Sequence, residues 1–339
     1  MQNKLNEQNP PIFILGVQRS GTTLLRLILN SHSHIAIPEE STFLMPLLKK
    51  KNIKAHLSGK SLKALVNYLS LNSQLKLWNY DCSDFLHSLS EKEHITLKNL
   101  IEEMFRSYCR NNSKSIWGDK TPSFFRKIDI LNLLFPDAKF IHIIRDGRDV
   151  FDSWRKMDPS KKNVAVAAIE WRYKLSKIEK SLRFVPDKNR LTIRYEDLLE
   201  QPEIMIESIC SFLGIAYESD MLDFYRKSHC NVGEHHSHLI FQPINKNNKE
   251  KWRKNLTVRE VKTFSILSGH FLKKYSYEIP DESITVSDIL FIIKNLFWGF
   301  PKRILQVFYT KILIERSLRK GLGFSSPTLG KMPKNSKKS

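Results

Sequence analysis

Two short segments concentrate phosphate-handling chemistry. In Gly16-Val17-Gln18-Arg19-Ser20-Gly21-Thr22-Thr23, a glycine-bounded turn follows an apolar run and opens a helix. The backbone N–H groups of such a turn, with the helix N-terminus, make a nest for an anion. Gly16 and Gly21 have the spacing of the nucleotide-triphosphate loop G-x-x-x-x-G-K-[ST], but Thr22 stands at the lysine position and the cation sits earlier, at Arg19. The second segment, Arg145-Asp146-Gly147-Arg148-Asp149 through Ser153, also follows an apolar run and opens a helix. No apolar run ends in a plain aspartate of the kind a P-loop kinase uses to hold Mg²⁺. Cations at the ends of two strands, without a metal carboxylate, suit a ligand with a 5′ phosphate group and another phosphate elsewhere.

The elements that position these segments follow from hydrophobic patterning. Ile12-Phe13-Ile14-Leu15 reads as a buried strand, and Thr23 onward as a helix with a wide apolar face. Further strands are expected at Ile35-Ala36-Ile37, Ser115-Ile116-Trp117-Gly118, Lys139 to Ile144 and Leu191 to Tyr195, with helices at Val164 to Leu182 and Glu203 to Leu213. Residues 42–114 read as a polar, helical insertion. Strands alternating with helices over some 200 residues predict a mainly parallel sheet covered on both faces, an α/β fold with right-handed crossovers.

Composition bounds the class. The 339 residues are 41% hydrophobic and 27% charged, which is globular and not disordered. Cys82, Cys109, Cys210 and Cys230 are scattered without a C-x-x-C, which argues against a disulfide scaffold and for a reducing compartment. The net charge of +20 admits three partners: nucleic acid, an anionic membrane surface or a polyanionic small ligand. From Thr285 onward, eleven basic residues face only Asp288 and Glu315, so +9 of the excess lies there. The start of the chain shows no secretory leader pattern, and no run of about 18 apolar residues predicts a span.

Arg19-Ser20-Gly21-Thr22-Thr23-Leu24 resembles the 5′-phosphosulfate loop of sulfotransferases that use 3′-phosphoadenosine 5′-phosphosulfate (PAPS). Arg145 through Ser153 resembles their 3′-phosphate-binding strand–turn–helix, about 125 residues later, as that family has it. The likeness covers Pro11 to about Leu256 and is nearest to the branch of tyrosylprotein sulfotransferases and their bacterial relatives. Pro38-Glu39-Glu40-Ser41 resembles that branch's Gly-Glu-Glu-Thr segment, and Asp119-Lys120-Thr121-Pro122 its Lys-Asp-Pro segment. Pro243-Ile244-Asn245, Lys251-Trp252 and, by position, Ser237 resemble a loop closing over the 3′-phosphate.

The resemblance implies a P-loop-type three-layer α/β/α domain, placed at residues 1–284; beyond the likeness, charge and composition read as a basic amphipathic helical extension over 285–324 and a disordered basic tail over 325–339. It implies sulfuryl transfer from PAPS to a hydroxyl or amine, releasing 3′-phosphoadenosine 5′-phosphate without a metal. Arg19 and Lys120 would stabilise charge on the bridging oxygen and sulfonate. Glu40 would be the general base, with Glu39, His32 and His34 as rivals. Ser20, Gly21, Thr22 and Thr23 would cradle the 5′ group; Arg145, Ser153, Lys251 and Trp252 would hold or cover the 3′-phosphate. Arg194-Tyr195 either lines the adenine side or packs in the core. Asp146, Arg148 and Asp149 are read as local ion pairs.

The acceptor is less legible. Thr42-Phe43 follows Glu40-Ser41 where tyrosylprotein enzymes carry an arginine, so a small-molecule, carbohydrate, lipid or peptide acceptor is open. The His229, Cys230, His235, His236, His238 stretch lacks zinc spacing and reads as a polar loop. A P-loop kinase and a nucleic-acid-binding protein remain the alternatives; Thr22 and the lack of a nucleic-acid motif count against them. Ile289 to Ile314, interrupted at Gly299 and Pro301, reads as two amphipathic pieces that either lie on an anionic membrane or pack on the domain. The expected location is cytoplasmic, with or without peripheral membrane contact.

Overall fold

The computed structural model describes residues 9–78, 80–158, 161–227, 241–281 and 283–319. Strands β1 (Ile12–Leu15), β2 (Ile35–Ala36), β5 (Ile116–Asp119), β6 (Lys139–Ile144) and β7 (Arg190–Arg194) form one parallel sheet in the order β2-β5-β1-β6-β7. Strand β1 is buried on both faces, as an all-apolar parallel strand requires. Its residues still alternate: Ile12 and Ile14 join Leu25 and Ile28 on one side, Phe13 and Leu15 join Phe105 and Trp117 on the other.

Helix α1 (Thr22–Asn30) follows β1, and α2 (Gly147–Met157) follows β6. Asp146 caps α2 by accepting the Arg148 amide. Helix α3 (Val164–Leu182) covers the sheet and packs against α4 (Val258–Lys274), whose Thr257–Glu260 capping box fixes its start. A third apolar cluster fills this layer, with Trp171 and Phe264 at its centre.

Two expectations are corrected. The 42–114 insertion is mainly helical but contains an antiparallel ribbon, β3 (His56–Ser58) with β4 (His94–Thr96), too short to signal by alternation. The C-terminal segment is one helix, α5 (Val286–Arg319), running through Gly299 and Pro301. Proline costs one intrahelical bond, and packing on α3 offsets that loss. Gly299 permits the contact: a Cβ there would sit 2.5 Å from Asn163 Nδ2. Among the described residues, no helix is long and apolar enough to cross a membrane.

Candidate functional site

β1 delivers the turn 16–21 to the sheet's C-terminal edge. Arg19 and Gly21 both take positive φ, 75° and 92°. Gly21 is required twice, by its φ and because an added Cβ would lie 2.3 Å from the Tyr195 ring. As the N-cap of α1 it offers no side-chain acceptor, so the first-turn N–H groups of the helix point into the turn. Ser20 is buried, and its Oγ has no partner among the described residues.

β6 sits beside β1 and brings Arg145 over the same turn. Arg145 Nη1 donates to the Arg19 carbonyl (3.3 Å); Nη2 donates to Asp149 Oδ2 (3.3 Å) and to the Asn248 carbonyl (3.1 Å). Its guanidinium stacks 4.5 Å from the Tyr195 ring centroid, while Nε is buried without a partner among the described residues. Arg19 Nε donates to Ser153 Oγ (2.9 Å), joining residues 134 apart in sequence. Burial, then proximity to Arg145, lowers the pKa of Arg19; the same two causes lower that of Lys251. Arg19 and Arg145 therefore meet at one turn with the charge of Lys251 near Arg145, the electrostatics of an anion site.

The remaining members of the second segment are structural. Arg148 forks onto Asp146 (3.0 and 2.7 Å) and stacks on Trp252, which is buried. Asp149 accepts both Arg145 and the Trp252 amide (2.9 Å), strapping the 245–252 loop to α2. Burial raises the Asp149 pKa despite Arg145. Tyr195 begins a short helix rather than ending a strand, and its hydroxyl accepts from Asn248 Nδ2 (2.7 Å). Nothing local in the sequence marks Asn248, an asparagine whose partners lie 53 and 103 residues away. Ser237 and the His-rich stretch lie outside the described residues, and so does the tail 325–339.

β5 lies on the other side of β1, its Asp119 level with Phe13, and Lys120 follows. Lys120 is 2% exposed and donates to Glu40 Oε1 at 2.6 Å. It is no solvated loop lysine. Glu39 instead takes Arg26 of α1 (2.7 Å). Neither glutamate caps the turn after Ser41. His32 is spent as well: its Nδ1 accepts the His34 amide, so Nε2 donates to the Ala216 carbonyl (3.0 Å).

β5 ends in an aspartate, Asp119. Its carboxylate takes the Ser41 hydroxyl, and Ser41 N donates to Thr121 Oγ1 (2.8 Å). Burial pushes the Asp119 pKa up to about 7. Glu40–Lys120 and Ser41–Asp119/Thr121 are thus two adjacent links between the same loops, the second fixing the geometry of the first. Among the described residues, no group of three His, Cys, Asp or Glu side chains is placed to hold a metal.

This arrangement gathers cations and open N–H groups at the turn after β1 and places a carboxylate–ammonium pair after the neighbouring strand β5. A family profile described as "Sulfotransferase family" matches residues 10–219. Protein-tyrosine sulfotransferase A of Caenorhabditis elegans is 26% identical over 253 residues, 73% of this chain and 57% of that protein. Nodulation protein NoeE of Sinorhizobium fredii is 23% identical over 298 residues, 78% and 65% of the two chains. The chain spans about half the length of the first curated relatives it matches. Among solved structures, the sulfotransferase domain from the curacin biosynthetic pathway has a TM-score of 0.58 at 23% identity, covering 81% of this chain and all of that one. The sulfotransferase domain of the Synechococcus PCC 7002 olefin synthase has a TM-score of 0.55 at 22% identity, covering 83% and 99%.

Proposed function

This chain belongs to the sulfotransferase family, and on that premise we propose that it transfers a sulfuryl group from PAPS to a hydroxyl or amine acceptor. PAPS would supply an activated sulfur with a phosphate oxygen as leaving group. The observation that carries the reading is the meeting of Arg19, Arg145 and Ser153 at one turn, across 134 residues of sequence. The partnerless Ser20 Oγ and Arg145 Nε and the open N-terminus of α1 fit a ligand with phosphate at both ends.

The chain's own groups divide the work. Ser20, Gly21, Thr22 and Thr23 cradle the 5′ side; Arg145, Ser153 and Lys251 hold the 3′-phosphate. Trp252 acts beneath that site, by packing on Arg148. Glu40 takes the acceptor proton as the acceptor attacks sulfur and the sulfur–phosphate oxygen bond breaks. Lys120 and Arg19 stabilise charge on the bridging oxygen and sulfonate. Sulfonate carries less charge than a terminal phosphate, so side-chain cations suffice and no metal is required. The acceptor is a small molecule, carbohydrate, lipid or peptide rather than nucleic acid, and the 42–114 insertion forms its wall. The C-terminal extension makes peripheral contact with an anionic membrane, and the location is cytoplasmic.

Calorimetry in the presence of a chelator tests this. We expect 3′-phosphoadenosine 5′-phosphate to bind without metal and AMP to bind much more weakly. Equal affinities would eliminate the 3′-phosphate site.

A further inference from the structure

Helix α5 has two unlike faces. The inward face is fastened to α3: Asn163 Nδ2 donates to the Asn295 carbonyl (2.8 Å), Gly299 lies against Val166, and Arg303 forks onto Glu170 at 3.0 Å through both Nε and Nη2. The outward face carries Val286, Leu290, Ile293, Phe297, Ile304 and Phe308, a stripe at helical spacing. Phe297 is 70% and Ile304 62% exposed, so the stripe has no partner among the described residues.

We propose that this face is a membrane-docking surface that lies in the plane of an anionic phospholipid bilayer, with the catalytic domain clamped behind it. Width argues for lipid over a second copy of the chain. Two paired helices bury a narrow seam of two positions per heptad. Here Trp298, Leu305 and Tyr309 are also more than 60% exposed and extend the apolar arc to about 200° of the helix. A helix pair would leave that flank in water, whereas a lipid interface covers it. Charge argues for anionic headgroups. Lys294, within the arc, and Lys302, at its edge, are exposed without an ion-pair partner among the described residues, while the only acid between 283 and 309, Asp288, is buried against Lys262. Aromatic side chains flanked by lysines are the composition of an interfacial helix, and α5 is not a span. The Asn163, Gly299 and Arg303 contacts make docking an orienting event, since the domain cannot swivel about α5 without breaking them.

The test is co-sedimentation of the full chain with phosphatidylcholine vesicles, with and without phosphatidylserine, for wild type, F297D/I304D and K294E/K302E. Both pairs are exposed, so folding is retained, as checked by circular dichroism and by binding of 3′-phosphoadenosine 5′-phosphate. Wild type should bind the anionic vesicles strongly and the neutral ones weakly. F297D/I304D should lose at least tenfold in partitioning to both. K294E/K302E should lose at least tenfold on anionic vesicles alone, each headgroup-facing lysine being worth about fivefold. No vesicle binding by wild type, or unchanged binding by F297D/I304D, overturns the proposal. A concentration-dependent dimer that F297D/I304D dissociates would assign the face to a second copy instead.

Discussion

Glu40→Gln and Lys120→Met, alone and together, separate the two roles of one contact. The ammonium and carboxylate meet at 2.6 Å, with Lys120 only 2% exposed and Glu40 30% exposed. At an effective dielectric of about 20 their attraction is roughly 6 kcal/mol before desolvation is subtracted. Removing one partner of a buried pair costs about 3–5 kcal/mol because the survivor is stranded. The partial exposure of Glu40 lets water replace part of the loss, so about 2 kcal/mol is expected for Glu40→Gln. The double variant strands nothing and should recover most of that stability in urea unfolding. Turnover should behave differently: each single variant and the double should lose about 10²- to 10⁴-fold in the rate of sulfuryl transfer. Affinity for 3′-phosphoadenosine 5′-phosphate, measured by calorimetry, should stay within about twofold, since Arg19, Arg145 and Ser153 are untouched. If the destabilisations simply add, the pair is not coupled. If Glu40→Gln turns over within about tenfold of wild type, Glu40 is not the base and the reasoning fails.

Other outcomes follow from single contacts. Asp119 keeps its proton up to about pH 7 in the fold and only to 3.8 when unfolded. The native state then binds the extra proton between those values, so this residue's contribution falls as pH rises, by at most about 4 kcal/mol. His142, held neutral by burial down to about 3 against a normal 6.5, acts oppositely, its contribution rising with pH. Asp119→Asn should therefore gain stability relative to wild type from pH 4 to 7 in urea titrations; a pH-independent difference would refute the assignment. Gly21→Ala should weaken 3′-phosphoadenosine 5′-phosphate binding by at least tenfold while the protein stays folded, because the new Cβ pushes on Tyr195; unaltered affinity would show that Tyr195 is not part of the site. Arg303→Met should cost about 1 kcal/mol or more in urea unfolding by leaving Glu170 beside α5 without its fork, and no change would show the helix to be loosely held.

The parts legible in sequence were those written in consecutive residues. The turn at Arg19 to Thr23, the Arg145 turn and the parallel α/β class all announce themselves by local spacing. What was illegible depends on partners far along the chain. Glu39 and Glu40 are neighbours with the same chemistry, and only the fold gives one to Arg26 and the other to Lys120. Asp119 hid inside a segment noted for its lysine, though a strand-ending acid was a usable signal. Gly299 and Pro301 looked like a break because propensity cannot see Asn163 and Val166. Asn248 carries no pattern at all.

The strand order has a consequence for how the chain is made. β1 and β2 are consecutive in the chain yet do not pair; β5, about 80 residues later, is inserted between them. During synthesis the first two strands therefore wait with unsatisfied edges until Asp119 has emerged, and β1 waits longer for β6 on its other side. Arg145 gains its last partners only with Asn248, and Asp149 with Trp252. At about 5–20 residues per second, more than ten seconds separate the first strand from a finished site. Nascent chains of this topology are exposed to edge-to-edge association for that whole interval, and slower translation lengthens it.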